Sequence, residues 1–284
     1  MLINKYRSSH PLVKWFIHLS ITLPVVSFLI VSLLIITFIF WPRNFDTYFD
    51  TYNKAEFQQA SHWVMVSHGL NDLGSDWDRR LTTILKNKFP NAAIFALDWR
   101  SHATNPLTCS INAMRIGGVI ARLALSNTQL TKMHLIGHSC GAFVNYGTCL
   151  AVKAINKDIY IKTTYLDPVT IYGGVFWDYG VKAFGSCADV SDTYYDTRDS
   201  VYGSNQAFPL SYSHDVTAVN QHYEYDASPH LWPIEFYIKA LENQSLPLYE
   251  IKPEQPQSFI LEAINQLPQS TSLDEAPKKT NQTH

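Results

Sequence analysis

Charge is scarce in this chain. Its 284 residues include 22 Lys and Arg against 24 Asp and Glu, a formal net charge of −2, and only 16% of positions are charged. A nucleic-acid partner is therefore not expected, because such surfaces show as a strongly basic patch or stripe. Cysteine is scarce too. Cys109, Cys140, Cys149 and Cys187 form no C-x-x-C pair, which removes zinc-ribbon and thioredoxin-type readings. Spacing alone does not fix their connectivity. One disulfide among Cys109, Cys149 and Cys187 in an oxidising compartment, or four reduced and half-buried thiols, both remain open. No internal repeat is visible. Apolar residues, by contrast, make up 46% of the chain, so a packed core is expected and global disorder is not. The length suits one sizeable domain with appendages.

The first appendage is N-terminal. From Leu19 to Trp41 no residue is charged, and the run LSITLPVVSFLIVSLLIITFIFW is mostly Leu, Ile, Val and Phe. About 20 such residues suffice for a helix to cross a bilayer core. Pro24 is tolerable in such a helix, and Trp15 and Trp41 bracket the run as interfacial anchors do. A cleaved signal peptide would have a shorter apolar region and a small-residue cleavage site. This run ends in FIFWPRN, so an uncleaved signal anchor is expected. Lys5, Arg7 and Lys14 precede it, which predicts a cytoplasmic N-terminus (1–18), a span at 19–41 and an extracytoplasmic remainder.

Residues 42–60 read as a polar, aromatic-rich linker and 61–246 as the globular domain. Strand-length apolar runs at Trp63–His68, Ala92–Trp99, Lys132–His138 and Ile161–Asp167 alternate with helical periodicity at Trp77–Phe89, Ile111–Leu125 and Gly141–Ile155. That alternation predicts an α/β fold, a mostly parallel sheet with helices on both faces. Pro233–Asn243 reads as a final helix opened by proline. Residues 247–284 are rich in Pro, Gln, Ser and Thr and read as a largely disordered tail. Asn243 and Asn281 open glycosylation sequons, relevant only to a eukaryotic secretory route.

The string HLIGHSCGAFV carries the chemistry. Gly137-His138-Ser139-Cys140-Gly141 fits G-x-S-x-G between a strand and a helix, the frame in which a strained turn lifts the serine above the sheet's C-terminal edge. Ser139 is the candidate nucleophile, and the helix dipole behind it favours developing negative charge. A serine needs a base and an orienting acid, following it in the order acid, then histidine. His230, in SPHLWPIEFY, opens directly into the last helix and is the expected base. His214 and His222 are assigned to a surface loop or substrate wall, and His284 to the tail. His214, Asp215 and His222 lack the ligand spacing of a metal site, so no metal is expected. For the acid, Asp167 at the end of IKTTYLD competes with Asp192 and Asp196 in CADVSDTYYD, at or near the next strand. The oxyanion donors are expected to be the amides of Cys140, next to the nucleophile, and of Leu70, in the loop VSHGLND that His68 braces. Late aromatics (Tyr172, Phe176, Trp177, Tyr194, Tyr195, Tyr223, Tyr225) are expected to wall an apolar acyl pocket.

Four motifs in order, VSHGLNDLGSDW, FALDWRSHA, HLIGHSCGA and YLDPV, resemble the pancreatic-lipase-type branch of the α/β-hydrolases, which includes related phospholipases A1. The likeness spans Trp63 to Val169, with a weaker match at HLWPIEFYIKAL. It implies the α/β-hydrolase fold, ester hydrolysis of lipids without a cofactor, and the L-D-P aspartate, Asp167, as the acid in preference to Asp192. The chain departs in placing Cys140 where the family usually has leucine, and in having no cysteine-bounded lid between Asp196 and His230. The expected activity is a serine-dependent carboxylic ester hydrolase acting on lipid or other apolar acyl esters. The alternatives are a thioesterase or peptidase with the same triad, or a silent hydrolase fold that binds an acyl ligand or a partner.

Overall fold

The computed structural model describes residues 10–52, 54–72, 76–220 and 225–242. The chain divides into two units, Met1–Arg43 and Asn44–His284. The described part of the first holds one helix, α1 (Pro11–Phe40), of 30 residues. His10 caps it by accepting the Leu12 N–H, and Pro11 occupies the first turn, where no N–H is needed. Apart from Ile39, its apolar side chains point outward, Phe28 and Leu33 among the most exposed. It is long and apolar enough to cross a membrane.

The second unit is built on six parallel strands: β1 (His62–Ser67), β2 (Ala93–Leu97), β3 (Lys132–His138), β4 (Tyr160–Leu166), β5 (Val190–Tyr195) and β6 (Tyr212–Asp215), in the order β2-β1-β3-β4-β5-β6. Alternation along each strand feeds two cores. Trp63, Met65, Met133, Leu135, Ile161 and Tyr165 face one, packed under α5 (Cys109–Ser126) and α6 (Ala142–Ile155). Val64, Val66, Ile136 and Leu166 face the other, under α4 (Trp77–Lys88) and α9 (Trp232–Glu242). The layers of an α/β fold are therefore present, with helices on both faces. The strands and long helices fall within a few residues of the sequence reading. The exception is β6, an edge strand absent from it.

The stretch read as a linker, 42–60, is a correction. It folds into α2 (Thr47–Tyr52) and α3 (Ala55–Gln59). Phe45, Tyr48, Tyr52 and Phe57 are buried in the first core. Phe57 meets Trp63 edge to face at 5.7 Å and Phe95 at 5.0 Å, and its carbonyl accepts the Trp63 indole N–H at 2.9 Å. Burying an aromatic side chain is worth about 1.5–3 kcal/mol, so four of them hold these short helices against the sheet where helix propensity alone would not. The expected tail and both sequons lie outside the described residues.

Candidate active site

β3 runs straight into a single 3-10 turn, Ser139–Gly141, and then into α6. Within that turn Ser139 has φ = +54°, a left-handed conformation that costs a side-chain-bearing residue about 1–3 kcal/mol. The surroundings enforce it. The Ser67 hydroxyl at the end of β1 lies 3.0 Å from the Gly141 carbonyl oxygen. A Cβ on Gly141 would sit 2.5 Å from the carbonyl oxygens of both Ser67 and His68, so strand and helix can meet here only without one. The result places Ser139 at the start of α6, 5% exposed, with positive dipole behind it.

The loop after β1 closes on the same point. A Cβ on Gly69 would lie 2.7 Å from Ser139 Cβ. His68 braces the loop as expected: its ring stacks on Trp99 at 5.4 Å, its Nδ1–H donates to the Gly69 carbonyl at 2.9 Å, and its Nε2 accepts the Trp99 N–H at 3.4 Å. Trp99 returns its indole N–H to the His68 carbonyl at 3.0 Å. Asn71, at φ = +53°, donates its N–H to the Ala103 carbonyl. Between this loop and the elbow lies an apolar cavity of about 240 Å³, lined by Leu70, Leu107, Ser139, Cys140, Ile171 and Tyr202 among others. Cys140 is disulfide-bonded to Cys109 at the start of α5, and Cys149 to Cys187. All four cysteines are paired, so the reading that left Cys140 out of a disulfide is corrected.

His230 sits in a 3-10 turn, Pro229–Leu231, just before α9. The His138 Nε2–H donates to the His230 carbonyl at 3.0 Å and the two rings lie 4.6 Å apart, which sets His230 beside the elbow. Burial and the neighbouring His230 hold His138 well below the ordinary histidine pKa, so it is a neutral donor. The His230 Nδ1–H points at two carboxylates at once, Asp167 Oδ2 and Asp199 Oδ2, each at 2.9 Å. Burial alone would lower the His230 pKa. The hydrogen bonds to Asp167 and Asp199 outweigh it and raise the group to about 9. Asp167, fully buried at φ = +43°, is pushed up to about 7, mainly by burial. Asp199 is held below the usual carboxylate range: burial raises it, but hydrogen bonds from His230 and Ser204 prevail.

The structure thus gathers Leu70, Ser139 and Cys140 around one cavity and pairs Asp167 with His230. It does not bring Asp192 or Asp196 to the base. Asp192 lies within β5, in a buried ion pair with Lys162 of β4 at 2.8 Å, and Asp196 is taken by Arg198 at 2.5 Å. His214 is also corrected: it lies buried on β6, its ring 5.0 Å from that of Tyr194, rather than in a surface loop. His222 and Tyr223 lie outside the described residues. Tyr194 belongs to the second core and walls nothing, whereas Tyr202, not anticipated, lines the cavity and meets Trp177 edge to face at 5.0 Å. Asp199 and His138 were missed as well. Asp199 follows a stretch, CADVSDTYYD, that offers three other aspartates, and His138 is the variable position of the motif. Asp167, Asp199 and His230 also hold donor atoms within 4.8 Å of one another, as a cation site would, but those atoms are engaged in the hydrogen bonds to Nδ1.

A comparison with curated proteins gives no match. The family model described as Lipase matches residues 42–175, the segment holding β1, β2, the nucleophile elbow, α6 and the Asp167 turn. Over that segment the chain is similar to the lipase family, consistent with a pancreatic-lipase-like α/β-hydrolase.

Proposed function

We propose that the protein is a serine-dependent carboxylic ester hydrolase that cleaves lipid or other apolar acyl esters through an acyl-enzyme. The observation that carries this reading is the strained Ser139 at the mouth of an apolar cavity, with a carboxylate-oriented histidine beside the same elbow. Ser139 Oγ attacks the acyl carbonyl while His230 Nε2 takes its proton. Asp167 holds Nδ1–H, fixing the tautomer and stabilising the imidazolium. The amides of Leu70 and Cys140 receive the oxyanion, at roughly 3–4 kcal/mol for each well-placed donor. Collapse expels the alcohol with the proton from His230, and water repeats the sequence on the acyl-enzyme. The leucine- and isoleucine-lined cavity favours an apolar acyl group over a charged one.

The outward-facing apolar α1 supports a single membrane span, with the positive charges before it directing the catalytic unit to the extracytoplasmic side. Two disulfides suit such an oxidising compartment. The test is hydrolysis of p-nitrophenyl esters from short to long acyl chains by the full-length protein and by Ser139→Ala. Activity lost in the variant supports the reading, and equal activity in both overturns it. Protease protection of the catalytic unit from the cytoplasmic side alone is the expected topology result, and the reverse would refute it.

A further inference from the structure

A serine triad needs one carboxylate on its histidine, and His230 has two. Asp167 reaches Nδ1 from the end of β4, and Asp199 from the turn after the neighbouring strand β5, at the same 2.9 Å. The two acids are supplied differently. Asp199 also accepts the Ser204 hydroxyl and, at 3.1 Å, the Val201 N–H, so three donors converge on it. Its turn is knit around this arrangement: the Asp199 N–H donates to Asp196 O at 3.0 Å, and the Asn205 side-chain amide donates to Asp199 O at 2.6 Å. Asp167 is fully buried, and its second oxygen meets the Asn205 N–H at a long 3.4 Å. A carboxylate served by several donors retains its charge, whereas a buried one with few tends to hold its proton.

We infer that Asp199 is a second orienting acid for His230, a positioning residue that shares Nδ1–H with Asp167 and supplies the negative charge facing the imidazolium. The inference rests on the serine-hydrolase reading of the same site and refines it. Asp167, the acid more ready to take a proton, then acts chiefly as the companion that fixes the ring plane. The opposite directions in which the two carboxyls are shifted agree with this division. Among the described residues, the other titratable ring facing His230 is that of His138, which is neutral. Asp196 is neutralised by Arg198, and Glu235, on the helix that follows, by Arg80.

The experiment is a histidine NMR titration of the full-length protein, with the His230 signal assigned by its loss in His230→Gln, alongside kcat/KM against pH for a p-nitrophenyl ester. Asp199→Asn is expected to lower the His230 pKa by about one unit or more, since removal of a contacting opposite charge has effects of that size. The acidic limb of the rate profile should move down with it, kcat should fall about 100-fold with KM little changed, and Asp199→Glu should restore much of both. Asp167→Asn is expected to leave the His230 pKa above 6.5 and to lose no more than about tenfold in kcat/KM. The double variant should approach the roughly 10⁴-fold loss seen when a triad imidazole is held in the wrong tautomer. A titration and a pH limb unmoved by Asp199→Asn would overturn the inference. So would an Asp167→Asn variant that alone shows the full 10⁴-fold loss with His230 titrating near 6.5. That second variant decides the matter if Asp199→Asn does not fold. Because the titration needs no turnover, it reads Asp199 even if the wild type hydrolyses no ester, a result that would sink the proposed function instead.

Discussion

Two disulfides of nearly equal loop length offer a controlled comparison. Cys109–Cys140 spans 31 residues of sequence and Cys149–Cys187 spans 38. The chain-entropy relation gives each about 4 kcal/mol of stabilisation, since it varies only logarithmically with loop length. Replacing either pair by alanine is therefore expected to lower Tm by a similar amount, about 8–16 °C at 2–4 °C per kcal/mol for a domain of this size. Their consequences for catalysis should differ. Cys140 carries the amide assigned to the oxyanion and lines the cavity beside Ser139, whereas Cys149 is buried in the middle of α6. Cys109→Ala/Cys140→Ala frees the segment that aims that amide, and loss of one oxyanion donor costs about 10²–10³ in kcat. Cys149→Ala/Cys187→Ala should keep kcat within a few-fold of wild type at a temperature where both variants are folded. The assays are differential scanning calorimetry and ester hydrolysis on the same preparations. Equal kcat losses in the two double variants would refute the local-tether reasoning, and a Tm change below about 2 °C would refute the entropic one.

Lys162→Met leaves Asp192 buried and unpaired and is expected to destabilise by about 3–5 kcal/mol, whereas Lys162→Met/Asp192→Leu should recover most of that, as read by denaturant unfolding. Gly141→Ala places a methyl 2.5 Å from two backbone oxygens that cannot yield cheaply, so it should cost at least about 1–3 kcal/mol and most of the activity. A temperature-stable, fully active Gly141→Ala would contradict the elbow geometry. His230 must be neutral to act as a base, and it is raised to about 9, so kcat/KM should climb with pH, reach half its maximum near pH 9 and level off above it. The same raised value contributes stability that is fully present below about pH 6.5 and is lost as pH rises through about 9. A rate profile already flat at pH 7 would show that the two carboxylates do not hold the imidazolium.

Most of the sheet was legible because strands buried on both faces read as continuous apolar runs, as WVMVS and AIFAL do. β6 was not, because YSHD is short, polar and at an edge, where half its backbone needs no partner strand. The helices before β1 were illegible for a different reason. Phe45, Tyr48 and Tyr52 keep a helical i, i+3, i+7 spacing, but over one short run, and the rings that bury them, His102 for Phe45 and Tyr48 and Phe95 for Tyr52 and Phe57, lie far along the chain. Within the site, the serine and its glycines could be read because local backbone geometry demands them in a fixed order, whereas the L-D-P aspartate was preferred to Asp192 through the family resemblance. Asp199 could not. Its role depends on the way a turn wraps Ser204 and Asn205 around it, and the aspartates before it look equally eligible until Lys162 and Arg198 claim them. The disulfides were hidden likewise, since pairing follows from the approach of α5 to the elbow.

The central claim is that Ser139 is a nucleophile activated by His230. Its most direct test is labelling of the full-length protein with a fluorophosphonate probe, followed by peptide mapping. The account predicts one labelled residue, Ser139, with labelling abolished in Ser139→Ala and slowed by orders of magnitude in His230→Gln. Labelling at another residue, or a rate unaffected by His230→Gln, would contradict it.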